Sequence, residues 1–149
     1  MNLKQRLEED MKAALRAREE GKERLSVIRM VRAAVRNTEI ERRHELSDDE
    51  VIEVLSRELK QRRDAIAEFG AAAGPEYVGK LEGEIAILMV YLPSQLSPDE
   101  LREVSREVIQ EVGATGPQDL GKVMSALMPR VRGRVDGKLV NQTVRELLG

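Results

Sequence analysis

Apolar residues recur at helical spacing along most of the chain, and no segment keeps the apolar–polar alternation of a half-buried strand. Near the amino terminus, Leu3, Leu7, Met11 and Leu15 recur every four residues, which predicts a first helix that ends near Gly21. Ala, Leu, Glu, Arg and Lys dominate the long segments and favour helix there. The sequence therefore predicts an all-α protein.

Start and stop signals define the next two helices. A second helix is predicted over about 24–44. A third begins at Ser47, where the order Ser-Asp-Asp-Glu predicts a capping box between Ser47 and Glu50. Gly70 is the predicted stop, although residues 71–73 could instead extend this helix by one turn.

A fourth helix is predicted from Pro75, which suits the first helical position, to Leu92. Its last two turns, residues 85–92, are apolar all round, a pattern typical of a segment buried on several sides or used as an interface.

Two closely spaced prolines, Pro93 and Pro98, interrupt the helical pattern after this segment. They predict a domain boundary near residue 95. The expected organisation is a larger helical domain of about four helices over residues 1–95 and a small three-helix module over residues 96–149.

The C-terminal module has its own helix start and stop signals. A second capping box starts at Ser97, and Gly113 is the expected stop of that helix. A short helix is predicted over about 117–128, ended by Pro129, and the last helix starts from a cap at Asp136.

Composition excludes several classes of protein. Only 2% of the residues are aromatic, too few for a base-stacking platform of the RRM or OB kind. There is no cysteine and only one histidine, which excludes disulfides, thiol catalysis and multi-histidine metal cages. The amino terminus has no apolar signal segment and no apolar run spans a bilayer, so we expect a soluble cytoplasmic protein without a membrane partner.

Two short motifs resemble chemical sites but have a simpler explanation. Gly116–Lys122 fits the G-x-x-x-x-G-K part of a phosphate-binding loop, yet Val123 stands where magnesium needs a hydroxyl, and Pro117 removes an amide. Glu41 and His44 have the spacing of a di-iron ligand pair, but such sites take two copies. We therefore predict no catalytic residue, no metal site and no cofactor, and no stand-alone enzymatic activity.

The charge distribution is more informative than the net charge of −2. Residues 97–119 hold two basic and six acidic side chains, whereas residues 120–149 hold six basic and two acidic ones. A Gly-containing basic loop leads into the last helix, where guanidinium groups and free amides could both meet phosphates. The predicted nucleic-acid-binding residues are Lys122, Arg130, Arg132, Arg134, Lys138, Asn141 and Arg145. The alternative is a solvated basic face that balances the acidic helix before it.

A second basic candidate lies on the second helix, where no acidic residue occurs between Glu23 and Glu39. Glu39 falls on the same side of the helix, so a solvated or ion-paired face is the favoured interpretation, with nucleic acid or an acidic partner as the alternative. The arginines on this side are Arg29, Arg32, Arg36 and Arg43, and Arg24 belongs to the same stretch without acidic residues.

Four segments together resemble the GatB/YqeY family over essentially the full chain. They are LGKVM at 120–124, GRVDGKLVN at 133–141, RLSVIRM at 24–30 and YLPSQLS at 91–97. The match is specific to free-standing YqeY-like members. Their C-terminal module is similar to the tail domain of the B subunit of tRNA-dependent amidotransferases, which amidate mischarged tRNA with glutamine as amido donor.

This resemblance implies an all-helical fold and tRNA contact by the C-terminal module. It supplies no catalytic centre, because kinase, amidation and glutaminase chemistry belong to parts of the amidotransferase that this chain lacks. The leading hypothesis is a tRNA-binding or tRNA-related module, accessory at most to a glutamine-dependent carbon–nitrogen ligase. The alternative is a non-enzymatic adaptor whose basic face meets an acidic protein partner. A third possibility is a component of the amidotransferase, which would then be the protein partner.

Overall fold

The computed structural model describes all residues, 1–149, and confirms the all-α prediction. The chain forms α1 (Leu3–Arg16), α2 (Lys22–Arg42), α3 (Asp48–Ala73), α4 (Pro75–Met89), α5 (Pro98–Val112), α6 (Leu120–Val131) and α7 (Gly137–Leu148). Short 3-10 turns, Arg18–Gly21 and Pro117–Asp119, precede α2 and α6. None of these helices combines the length and apolar character needed to cross a membrane.

The chain divides into two compact units, Met1–Leu92 and Pro93–Gly149. We call them the N unit, which contains α1 to α4, and the C unit, which contains α5 to α7. In the N unit α1 packs along α2 and α3 packs along α4, and in the C unit all three helices contact one another.

Aliphatic side chains from all four helices form the core of the N unit, because each helix turns one apolar stripe inward. The capping box at the start of α3 is confirmed: the Ser47 hydroxyl accepts the Glu50 N–H, and the Glu50 carboxylate accepts the Ser47 N–H. The largest fully buried side chains of this unit are Leu7, Ile28, Leu55 and Leu88.

The end of α3 follows the alternative boundary, because the helix runs through Gly70 to Ala73. Gly70 is buried, and a Cβ at this position would lie 3.1 Å from the Val78 side chain of α4. This glycine therefore allows a close helix–helix approach. The helix instead ends at Gly74, whose φ of 96° is in a region that favours glycine.

Two other boundaries in the N unit differ from the prediction. The first helix ends at Arg16, and a 3-10 turn carries the chain to Gly21. The fourth ends at Met89. Within the apolar residues 85–92, Val90 is 60% exposed while Leu92 is buried, so the segment is not buried on every side within the chain. After Met89 the backbone N–H groups bond to carbonyls three residues earlier, as in a 3-10 turn, which tightens the end of the helix.

The C unit has a small aliphatic core to which all three helices contribute. Ser97 caps α5 with Glu100 as predicted, and Gly113 ends that helix with a φ of 70°. Pro129 does not end α6, which continues to Val131. A proline in the last turn forfeits one helical hydrogen bond, and burial of Val131, only 1% exposed, offsets that loss. The fully buried members of this core include Leu101, Val108, Val123, Leu127, Val140 and Val144.

Candidate nucleic-acid interface

The last helix separates an apolar face from a polar, basic one. Asp136 caps α7 by accepting the Lys138 N–H at 3.1 Å. Val140 and Val144 are fully buried against α5 and α6, whereas Lys138 and Arg145 are exposed. The two basic side chains lie two helical turns apart, about 10 Å along the axis.

A hydrogen bond orders the basic face of α7 between these two positions. Arg145 Nε donates to Asn141 Oδ1 at 2.6 Å, an i to i+4 contact on one side of the helix. This bond fixes the direction of the guanidinium and leaves its Nη groups for further acceptors. Gln142, which is exposed, belongs to the same polar side.

Arg130 is engaged within the C unit. Its guanidinium lies 3.0 Å from Glu107 and 3.3 Å from Glu111, two carboxylates one turn apart on α5. The side chain remains 41% exposed, so these ion pairs lie at the surface. At this residue the basic helix end does balance the acidic helix before it, as the alternative interpretation anticipated.

Arg134 holds the connecting segment before α5 in place. Its Nε donates to the Ser94 carbonyl at 2.9 Å, and its own carbonyl accepts the Leu96 N–H at 2.9 Å. Gln95 adds a bond from Nε2 to the Gly133 carbonyl at 2.7 Å. The basic loop and the segment that follows Leu92 are therefore joined by a small network of backbone and side-chain bonds.

The charge of Arg134 also reaches the start of α5. The pKa of Glu100 is lowered chiefly because its carboxylate accepts the Ser97 N–H, with the Ser97 hydroxyl and the positive charge of Arg134 adding to the effect. Glu100 is thus held ionised beside the basic loop.

The other two predicted residues lie on and after α6. Lys122 is exposed on the first turn of α6, about 12 Å along the axis from Arg130. Arg132 follows the last turn, is half-buried and is engaged with other groups of the chain. The predicted residues therefore form three groups. Lys138, Asn141 and Arg145 share one face of α7, whereas Arg130, Arg132 and Arg134 already interact with other groups of the chain. Lys122 lies apart from both groups on the first turn of α6.

Sequence reasoning missed the groups that hold the basic loop. Ser94 and Gln95 lie about 40 residues before their partners Arg134 and Gly133, a separation that no local pattern reveals. Glu107 and Glu111 do carry a signal, since two carboxylates four residues apart share one face of a helix.

The segments that resemble chemical sites have ordinary local structure. The backbone at Gly116 is extended, and Pro117–Asp119 forms a 3-10 turn, while Val123 is fully buried in the core. His44 Nδ1 lies 2.8 Å from the Glu45 carbonyl. No group of three or more His, Cys, Asp or Glu side chains is arranged to hold a metal ion.

The C unit contains no Phe, Tyr or Trp. Any RNA contact by this unit would therefore use phosphates, ribose hydroxyls and helix shape, because no aromatic ring is present on which a base could stack.

Comparison with known proteins identifies the family of this chain. No curated protein matches the sequence. The family model described as Yqey-like protein matches residues 4–148, nearly the full length, which confirms the resemblance that the four sequence segments indicate. The chain therefore belongs to the YqeY family.

Proposed function

We propose that this protein binds tRNA through the basic face of α7, as a cytoplasmic, non-catalytic module accessory to tRNA-dependent amidation. The observation that carries this proposal is the pair of exposed cations, Lys138 and Arg145, aligned on one side of a helix whose other side is buried. Neither side chain forms an ion pair with a carboxylate of this chain, so both charges are available to phosphates.

The loop before α7 adds to the proposed interface. Arg130 is held by ion pairs at the surface, and such pairs contribute little free energy. A phosphate that approaches Arg130 can therefore replace a carboxylate at small cost. Arg132, Arg134 and Lys122 extend the positive potential around this face and favour encounter with a polyanion.

The test measures binding of labelled unfractionated tRNA to the full chain at several salt concentrations. We expect the logarithm of the affinity to fall with the logarithm of salt by about 0.7 to 0.9 per phosphate contacted. The variant Lys138→Glu/Arg145→Glu should lose most of the binding and reduce that slope by about one per removed contact.

A matched control reverses two other exposed arginines, Arg57→Glu/Arg106→Glu, which changes the net charge equally outside the proposed face. The Lys138→Glu/Arg145→Glu variant leaves the intramolecular bonds of Arg130 and Arg134 intact, and the one side-chain bond that it removes runs from Arg145 Nε to Asn141 Oδ1. Equal loss of tRNA binding in both double variants would show a general charge effect and refute the α7 site.

A second candidate function is an adaptor for an acidic helix of another protein. The contacts of Arg130 with Glu107 and Glu111 favour it, since they show that the basic end of α6 can bind two carboxylates that lie one helical turn apart. This candidate predicts little tRNA affinity at any salt concentration and a stable protein partner that co-purifies with the chain. Glutamine-dependent formation of amidated tRNA on addition of the chain to an amidotransferase would instead support the accessory role.

A further inference from the structure

A groove in the N unit lies between α1, α2 and the segment that leads into α3. Its volume is about 850 Å³, within the range of roughly 300–1,000 Å³ that small-molecule sites occupy. It lies in the unit that the proposed tRNA contact does not use. The arginine-rich side of α2, which the sequence indicated as a solvated or ion-paired face, forms one wall of this groove.

Three arginines line that wall: Arg29, Arg32 and Arg36. Their spacing places them within an arc of about 60° and along about 10 Å of the helix axis. Arg29 and Arg36 form no ion pair, and the only polar contact of Arg32 is from Nη1 to the Met11 sulfur at 2.9 Å. A thioether is a weak acceptor without charge, so none of the three guanidinium groups is paired with a carboxylate of the chain.

Most carboxylates in the groove are already used by other groups. Glu39 accepts Lys4 Nζ at 2.7 Å and the Leu46 N–H at 2.9 Å. The bond from Lys4 is the main reason why the pKa of Glu39 is lowered, and the Leu46 N–H adds to it. Glu8 lies 3.9 Å from Lys12, which leaves Glu45 as the one lining carboxylate without an ion pair.

The amide side chains at the start of α1 add hydrogen-bond donors. Asn2 Oδ1 accepts the Gln5 N–H at 2.8 Å, and Gln5 Oε1 accepts the Asn2 N–H at 3.0 Å. The capping box thus uses both amide oxygens, and the two NH₂ groups, which only donate, remain on residues that line the groove. The groove therefore offers many donors and few acceptors.

We propose that this groove binds a small molecule that carries two or more phosphoryl groups. Guanidinium groups match phosphate oxygens through paired N–H donors, and three of them in a row match three or more negative charges better than a single phosphate does. No aromatic residue lines the groove, so the phosphoryl groups and not a stacked ring would provide recognition.

The test titrates the full chain with sodium tripolyphosphate by calorimetry, with sodium chloride added to equal ionic strength in the reference. We expect saturable binding of tripolyphosphate and a rise in the melting temperature of the protein on binding. Inorganic phosphate should bind at least tenfold more weakly. The variant Arg29→Gln/Arg32→Gln/Arg36→Gln should bind tripolyphosphate at least tenfold more weakly.

The matched control Arg16→Gln/Arg57→Gln/Arg63→Gln removes three N-unit arginines that do not line the groove, and it should bind as the wild type does. Circular dichroism shows whether each variant is folded. Absence of saturable binding by the wild type, equal affinity for inorganic phosphate, or equal loss in both triple variants would overturn the proposal. So would binding of RNA at this wall without binding of tripolyphosphate.

This site is independent of the tRNA proposal. Lys138→Glu/Arg145→Glu should leave tripolyphosphate affinity unchanged, and a parallel loss in that variant would also contradict a separate site in the N unit.

Discussion

The two units use charged side chains in different ways. In the N unit, Arg62 is only 7% exposed, and its Nε donates to Glu84 at 2.8 Å, which ties α3 to α4. Tyr91 is also buried and donates to Asp10 at 2.5 Å. In the C unit the core is aliphatic, and the ion pairs lie at the surface, as with Arg130 and Glu107.

This difference shows where each unit can exchange partners. A buried ion pair is costly to break, because the remaining charge has no water to solvate it. A surface pair contributes about 1 kcal/mol or less, since water replaces the lost partner. The buried polar ties of the N unit therefore define how its helices pack, whereas surface pairs, such as those of Arg130 in the C unit, can yield to an incoming anion.

The largest expected effect comes from the buried tie. Arg62→Ala leaves Glu84 and Glu58 without their partner, and we expect the free energy of unfolding to fall by about 3 kcal/mol. Arg130→Ala, at the surface, should cost about 1 kcal/mol or less. Urea unfolding monitored by tyrosine fluorescence reports the N unit, where both tyrosines lie, and amide hydrogen exchange reports the C unit. Similar costs for the two variants would contradict the proposed contrast.

A close approach of helices in the N unit should have the next largest effect. A Cβ at Gly21 would clash with the Ala14 carbonyl oxygen, a backbone atom that cannot move aside easily. Gly21→Ala should therefore lower the free energy of unfolding by about 2 kcal/mol. Gly79→Ala, in α4 with open space around it, should raise the free energy by about 0.5–1 kcal/mol. If Gly79→Ala also lowered the free energy of unfolding, the loss in Gly21→Ala could not be assigned to the contact with the Ala14 carbonyl.

Buried hydroxyls test the effect of a hydrogen-bond partner on neutral groups. Ser105 Oγ in the C unit and Ser56 Oγ in the N unit are buried without a hydrogen-bond partner, whereas Thr38 Oγ1 in the N unit donates to the Ala34 carbonyl at 2.8 Å. Ser105→Ala should raise the free energy of unfolding by about 1 kcal/mol, because an unsatisfied buried hydroxyl is removed. Thr38→Val should lower it by about 1 kcal/mol, since its hydrogen bond is lost. Thermal unfolding of both variants distinguishes these opposite signs.

The smallest expected effect concerns pH. Because the pKa of Glu39 is lowered in the folded chain, chiefly by the bond from Lys4, the ionised carboxylate stabilises the fold above the ordinary pKa of 4.5. This stabilisation is lost as the pH falls through the lower folded pKa. Glu39→Gln should flatten the decrease in unfolding free energy below pH 4.5.

The C unit offers a matched carboxyl for this experiment. Glu100→Gln removes a carboxyl whose pKa is lowered chiefly by the Ser97 N–H, while glutamine preserves the capping box. Both variants should flatten the acid side of the stability curve measured by urea unfolding between pH 3 and pH 7. A steeper fall of the unfolding free energy towards low pH in either variant would contradict a lowered pKa of that carboxyl in the folded chain.

Local signals predicted much of the fold because they act within a few residues. The capping residues Ser47 and Ser97 and the stop at Gly113 are all where the sequence places them. For the candidate site, the shared side of Lys138, Asn141 and Arg145 also follows from helical spacing alone. The contact between Asn141 and Arg145 is of this local kind.

Contacts between distant segments decided the rest. The sequence shows that Gly70 and Pro129 favour helix ends, but packing against Val78 and burial of Val131 carry both helices further. The partners of Arg130 lie 19 and 23 residues away, on another helix.

The sequence by itself determined that this chain forms helices, where most of them begin, and that its positive charge gathers near the carboxyl terminus. Only the tertiary structure decided which arginines are paired and which line a groove. The physical reason is that helix caps and periodicity depend on neighbours along the chain, whereas ion pairing and burial depend on which helices meet. Arg130 and Arg36 are both exposed on their helices, yet Arg130 pairs with two carboxylates and Arg36 pairs with none.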